Sequence, residues 1–345
     1  MFIKRGIQVN VRTLVALALL LSVLGALLVS THSFAQASKA NTPNTIKVSP
    51  VRSDIEILPG QSKTVQITVT NLTNADIVIS PIENDFISGD ENGTPALILD
   101  ADKFAPTHSL KRFLTPIANV TIAANKAKLV NVVINVPTTA QAGGYFGAIR
   151  FAPASPDGGA QVNLSGSVAS LILLSVPGDA VEKLNLTDFT IQQNGKSNAF
   201  FTTSENMSAT FRFENKGSIQ LGPIGKISLK KWGKVISETD FNNQTPREVI
   251  LPDAARRWSV PLDKTDGFGH YTVLATLTYG KKNETVEVIR SFWVIPVAYI
   301  IGAAVALVLL AAIVFFAIFF IRRRLSRRSS SRSRGGLSVN GRRRR

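Results

Sequence analysis

Alternation of apolar and polar residues dominates the middle of the chain. Val65-Gln66-Ile67-Thr68-Val69-Thr70 alternates strictly, and most of Lys128 to Val136 (KLVNVVINV) does the same. A period of two puts successive side chains on opposite faces of a strand, so each run predicts a half-buried β-strand. Ile77-Val78-Ile79 and Ala96 to Leu99 are shorter runs, while Tyr145 to Phe151 and Val168 to Val176 are longer ones. Turn residues separate them: Pro59-Gly60, Asn71 to Asn74, Gly89 to Pro95, Pro137 and Gly143-Gly144. Short strands spaced in this way, with little helical period, predict an antiparallel sandwich over 44–178, closed by Pro177-Gly178.

The pattern then repeats in kind over 179–293. Strands are predicted at Lys183 to Gln192, Met207 to Glu214, Lys226 to Leu229, Arg256 to Val260, Tyr271 to Tyr279 and Thr285 to Phe292. Asn215-Lys216-Gly217 and Gly222-Pro223 supply turns between them. The expected class is all-β, two tandem immunoglobulin-like sandwiches of the general kind, because no Cys-Trp-Cys signature is present. No internal repeat is strong enough to assert from the residues. One stretch breaks the pattern. Asp100 to Asn119 (DADKFAPTHSLKRFLTPIAN) has two prolines and no period. It reads either as a partner-contacting loop, since binding is often carried by long loops on a rigid frame, or as a structural crossover.

Two segments have no alternation at all. Thr13 to Val29 is apolar, follows Lys4, Arg5 and Arg12, and precedes Ala35-Gln36-Ala37. Positive residues, an apolar run and a small-x-small site describe a secretory signal over 1–37, with Ala35 and Ala37 marking the cleavage site. An uncleaved anchor is the alternative, and export follows from both. The second segment, 294–321, carries no charge and is long enough to cross a bilayer. Trp293 and Tyr299 stand near its start, where interfacial aromatics belong. Arg322, Arg323 and Arg324 follow it and favour the cytoplasmic side. A single-pass type I membrane protein is expected, its N-terminal part outside the cell.

Charge sharpens this picture. The net charge is +16, but the first 37 residues hold +3 and 322–345 hold 11 arginines with no acid. Removing +3 and +11 from +16 leaves +2 for everything between, so the middle has no basic nucleic-acid surface. The tail, RRRLSRRSSSRSRGGLSVNGRRRR, has too few apolar residues to fold and is expected to be disordered, held to anionic lipid headgroups. RNA binding and a phosphorylation switch at Ser329, Ser330 and Ser331 are the other readings of it.

The chain has no cysteine, which excludes disulfides and thiolate chemistry. His108 and His270 are too few for a His-rich metal site, and no nucleophile elbow or phosphate-binding glycine loop occurs. Neither an enzyme nor a cofactor is expected. Asp85 to Thr94 (DFISGDENGT) is acidic enough to raise calcium, but lacks the alternating ligands of an EF-hand loop. Eight N-x-[ST] sequons, at Asn71, Asn92, Asn119, Asn163, Asn185, Asn206, Asn243 and Asn283, are either glycan acceptors or ordinary turn residues. Gly143-Gly144-Tyr145-Phe146-Gly147 reads as a turn entering a central strand with Tyr145 at a corner, rather than as a ligand site.

Two groups of residues resemble a known family. The first is Leu58-Pro59-Gly60-Gln61-Ser62 leading into Val65 to Asn71, with Ala142 to Phe151 (AGGYFGAIRF) later. The second is Phe213-Glu214-Asn215-Lys216-Gly217, Gly222-Pro223-Ile224-Gly225 and Phe268-Gly269-His270-Tyr271. They look like the ectodomains of WxL-interacting cell-surface proteins and, more distantly, pilus-chaperone-type sandwiches. The resemblance implies a signal peptide, two sandwiches, one membrane helix and a basic tail, with peptidoglycan or a surface protein as partner. It carries over no ligand-contacting residue. The expected function is a membrane-anchored surface protein binding cell-wall glycan or another protein. A tethered assembly chaperone or a structural subunit of an envelope complex is the alternative.

Overall fold

The computed structural model of the chain describes residues 45–154 and 166–329. It is all-β apart from a C-terminal helix and one short 3-10 turn. The first sandwich packs a three-stranded sheet, β1 (Ile46–Ser49), β3 (Ser62–Asn71) and β7 (Ala127–Asn135), in the order β1-β3-β7. The facing sheet runs β2 (Arg52–Glu56), β9 (Val168–Val176), β8 (Gly143–Pro153), β4 (Ile77–Ser88), with β5 (Pro95–Leu97) and β6 (Val120–Ile122) both set against β4. The chain enters in one sheet as β1, turns at Pro50 and crosses to the other as β2, which lies parallel to β9.

The alternating runs do what their period requires. Val65, Ile67 and Val69 from β3 and Val130, Val132 and Ile134 from β7 point into one core, against Ile79, Ile149, Phe151, Ile172 and Leu174 of the facing sheet. Each such side chain contributes about 1.5–3 kcal/mol on leaving water. The stretch 100–119 is a structural crossover. Leu110 and Ala105 are buried. The carboxylate of Asp85 accepts from the backbone N–H groups of Ala105 (2.8 Å) and Lys111 (2.9 Å), and Glu83 accepts from Ile117 (2.9 Å). The packing supports the structural reading of this stretch over the partner-contacting one.

The second sandwich has a four-stranded sheet of β10 (Leu184–Gln193), β11 (Lys196–Ser197), β13 (Met207–Asn215) and β16 (Ala255–Pro261), ordered β11-β10-β13-β16. Its partner sheet is β12 (Phe200–Phe201), β18 (Glu284–Val294), β17 (Gly269–Tyr279), β14 (Ile224–Lys231) and β15 (Lys234–Phe241), ordered β12-β18-β17-β14-β15. Phe211, Phe213, Phe241, Tyr271 and Phe292 fill the core between them.

Two polar devices recur in both sandwiches. Asn71 ends β3 and Asn215 ends β13, and both are fully buried. Each side-chain amide donates to the carbonyl four residues on, Ala75 or Ile219, and to a carbonyl of a distant segment, Ile122 or Ile250. Each side-chain oxygen accepts from the N–H two residues on, Thr73 or Gly217. Tyr145 near the start of β8 donates to the Gln141 carbonyl, and Tyr271 near the start of β17 donates to that of Asp266. These are the tyrosine corners of immunoglobulin-like sandwiches. The chain also crosses from β10 and β11 in one sheet to β12 in the other, parallel to β18, as it crosses from β1 to β2 beside β9. This crossing, the buried asparagine and the corner tyrosine together show one module used twice, which the residues alone did not reveal.

The helix α1 (Val297–Ser329) begins three residues after β18 ends. Its part Val297–Arg322 is long enough and apolar enough to cross a membrane by length and composition. Two boundaries move from those expected. Val294 belongs to β18, because it is buried against the second core. The first eight residues of the basic tail, 322–329, continue the helix, since unbroken Arg, Leu and Ser offer no proline or glycine to stop it.

Candidate functional site

The two sandwiches meet along a mixed seam. Apolar residues of the first, Phe86, Phe146, Ala148 and Leu173, pack with Val249 and Leu251 of the second. The hairpin between β4 and β5 reaches over the second sandwich and sets Glu91 between two arginines. Its carboxylate lies 2.7 Å from Arg212 and 3.3 Å from Arg257, and its carbonyl accepts the Arg257 N–H at 2.7 Å. The Arg212 hydrogen bond holds the Glu91 carboxyl below the usual glutamate range, against a smaller opposing effect of desolvation. Gly93, at φ +87, lies against the Arg256 guanidinium where a Cβ would come within 2.3 Å of Nη1. A side chain there would be strained by the backbone and would oblige the Arg256 guanidinium to move. The acidic loop weighed for calcium is therefore a clamp between sandwiches. Asp90 accepts from the N–H groups of its own turn, Asn92 and Thr94.

Beside the seam lies a polar groove of about 460 Å³, lined among others by Arg52, Asp54, Glu182, Asn243, Arg247 and Lys281. Arg52 is held by Asp54 at 2.9 Å and donates to the Arg247 carbonyl at 2.9 Å.

A second opening belongs to the second sandwich alone. In the first, β9 is covered along its outer edge by β2 over five residue pairs, Arg52↔Leu171 to Glu56↔Ser175. In the second, β12 covers the equivalent edge of β18 over two pairs, Phe200↔Trp293 and Phe201↔Val294. Trp293 and Ile295 donate their N–H groups outward to Ala199 and Phe201. By the two-residue period, Ser291, Ile289, Glu287 and Thr285 face the same way, and among the described residues no strand pairs with them there. Ile289 is 62% exposed. A cavity of about 440 Å³ opens beside this edge, lined by Thr190, Ile191, Ser197, Asn198, Arg290 and Ser291. Val286 and Val288 stand half-buried along the same strand.

The sequence-derived residues fall elsewhere. Ala35, Ala37 and Asn163 lie outside the described residues. Arg322 is exposed at the end of the span, with Arg323 and Arg324 next in the same helix. Of the sequons, Asn71 is buried and its amide is committed to three carbonyls, so it cannot accept a glycan in the folded chain. Asn92, Asn119, Asn185, Asn206, Asn243 and Asn283 are exposed. His108 is tied by Nδ1 to the Gly144 carbonyl at 2.6 Å. Among the described residues no group of three or more His, Cys, Asp or Glu is placed to hold a metal. Sequence reasoning missed the open edge of β18, although the charges Glu287 and Arg290 within its run were a legible edge signal.

No family model matches the chain, and no curated protein does. Solved structures similar to it include the class 5 fimbriae chaperone CfaA, 16% identical over 73% of this chain and 99% of that one, with a TM-score of 0.37. A chain of the CsuC–CsuE chaperone–tip adhesion subunit complex of Acinetobacter baumannii is 8% identical over 70% and 97%, TM-score 0.35. A chain of the Salmonella enterica SafA pilin–SafB chaperone complex is 14% identical over 72% and 95%, TM-score 0.30. The expected likeness to pilus-chaperone-type sandwiches agrees with these neighbours. Membership of the WxL-interacting family finds no support. Likeness at this level decides nothing about what the chain binds.

Proposed function

We propose that the protein is a membrane-tethered assembly factor that holds an extended segment of another envelope protein on the open edge of β18. The observation that carries this reading is the difference between the two modules. The same edge that β2 covers in the first sandwich stands open in the second, with outward N–H and C=O groups and an exposed Ile289. An unpaired strand edge is a template for a strand from another chain, whose main-chain bonds give affinity and whose alternate side chains give specificity. The cavity beside β18 has room for such side chains. Arg322, Arg323 and Arg324, at the end of the apolar part of α1, favour a cytoplasmic tail with both sandwiches outside, by the positive-inside rule.

The test is a pull-down of detergent-solubilised envelope proteins with the full chain and with Ile289→Pro. Proline at an outward-facing edge N–H leaves the sheet's own ladder whole. A protein retained by the wild type and lost from a variant with unchanged thermal unfolding supports strand addition. Equal retention by both sinks it. Retention on protein-free wall, insensitive to Ile289→Pro, would favour glycan binding in the polar groove around Arg52, Arg247 and Lys281.

A further inference from the structure

The end of the second sandwich from which α1 departs is rich in exposed aromatic rings. The β14–β15 hairpin turns on two residues, Trp232-Gly233, between the paired Lys231 and Lys234. Both have positive φ, 51° and 83°. A two-residue turn of this kind favours Asn-Gly, because a bulky residue at positive φ is strained. Here the first position is a tryptophan, 56% exposed. The turn itself gains nothing from the bulk of the ring, and the neighbours it packs against, Trp293, Phe268 and His270, leave more than half of its surface free to meet something outside the fold.

Its surroundings say what that is. The Trp232 ring centroid lies 5.5 Å from that of Trp293, near the end of β18, and 6.1 Å from Phe268. Phe268, 40% exposed, stacks at 5.3 Å on Tyr299 in the first turn of α1. Phe200, 65% exposed, registers with Trp293. Only Ile295 and Pro296 separate β18 from the helix, and the Ile295 N–H is bonded to Phe201 at 2.8 Å. This collar is thus continuous with the span itself. Lys230, Lys231 and Lys234 flank the tip; Lys231 is paired with Asp266 at 3.0 Å, and Lys234 is exposed. Aromatic rings with lysines at the same level are the composition of a membrane–water interface.

We propose that this collar is a lipid-docking surface: Trp232 and Phe268 enter the headgroup region of the outer leaflet and fix the second sandwich against the bilayer. The proposal rests on the reading of α1 as a membrane span. It adds that the ectodomain is seated on the membrane rather than swinging above it.

The experiment uses the full chain reconstituted into phosphatidylcholine vesicles, with plain or dibrominated acyl chains as the probe. The protein has three tryptophans, so one variant keeps Trp232 alone (Trp258→Phe, Trp293→Phe) and another keeps Trp258 alone. Trp258 lies on β16, bonded to Glu248 and packed against the second core, and serves as the internal control. Brominated lipid is expected to quench Trp232 at least about twofold and to leave Trp258 unchanged, as an interfacial ring requires. In case Trp293→Phe disturbs folding, Trp232→Asn, a residue the turn prefers, is compared with the wild type. It should keep the thermal transition and lose most of the lipid-dependent quenching. Vesicles that float with the protein while Trp232 emission is the same in both lipids would overturn docking and leave the span intact. A ring covered by a second copy of the chain would give that same lipid-independent result. Protein that fails to float would overturn the span and the docking together.

Discussion

Set side by side, the two sandwiches use the same topology for opposite ends. The first is closed: β2 covers β9, the crossover 100–119 fills its flank, and every residue of β9 (VASLILLSV) is buried or half-buried. The second is open: β18 (ETVEVIRSFWV) alternates exposed and half-buried residues from Thr285 to Ile289, stays exposed at Arg290 and Ser291, and only its last residues are covered. A covered strand can be apolar on both faces, whereas an open edge has to carry charge on its outer positions to avoid indiscriminate pairing. The contrast teaches that the module's frame, its buried asparagine and corner tyrosine, tolerates the loss of a covering strand. What the first sandwich completes for itself, the second leaves for something else.

Proline placed in the two equivalent strands should break the comparison most sharply. Leu173 points its N–H toward β2 in the same sense as Leu171, which bonds Val51. Leu173→Pro should cost about 3 kcal/mol or more, read by thermal unfolding of the full chain in detergent, while Ile289→Pro should leave the transition within about 0.5 kcal/mol of wild type. Equal effects would mean that β18 is covered after all. Next come the asparagines. Asn71→Ala and Asn215→Ala each strand buried carbonyls, and each should cost about 2–3 kcal/mol by urea unfolding. Similar losses would confirm that the device works identically in both modules.

The corner tyrosines should give smaller effects. Tyr145→Phe removes one hydrogen bond, whereas Tyr271→Phe removes the one donated to the Asp266 carbonyl and the one accepted from the Asp266 N–H, so they should cost about 1 and about 1–2 kcal/mol in the same assay. The smallest concerns what joins the modules. Glu91→Ala should cost about 1 kcal/mol or less, because its side chain is 41% exposed and screened by water. The pH dependence follows from the sign of its shift. The folded carboxyl lies below its ordinary 4.5, so the clamp is present above that value and lost as pH falls through the folded value. Wild type minus Glu91→Ala stability should therefore shrink on acidification below about pH 4.5 and stay flat above it, checked by unfolding at stepped pH.

The strictly alternating strands were legible because one face of each meets a core and the other meets water; β7 was read to within one residue at each end and β3 to within three. Strand β4 was read only as Ile77 to Ile79, yet it runs to Ser88. The part beyond Ile79 contains Pro81, Glu83, Asn84 and Asp85, which look like a loop, yet Glu83 and Asp85 anchor the crossover 100–119 and Asn84 donates to the Ile98 carbonyl. Strand β15 (KVISETDF) went unread because an exposed edge has little apolar signal. The modular repeat was hidden because it rests on single residues, Asn71 with Asn215 and Tyr145 with Tyr271, amid different neighbours. Glu91 meets Arg212 across 121 residues of chain, a pairing that no local pattern encodes.

The two residues between β18 and α1 have a mechanical meaning. A segment seated lengthwise on β18 would be pulled along the strand axis, loading every ladder bond together in shear rather than one after another. With no slack between strand and helix, that load would pass straight into the anchor. The joint is built as a tie-rod, suited to keeping its grip on a passenger that is being hauled away from the membrane.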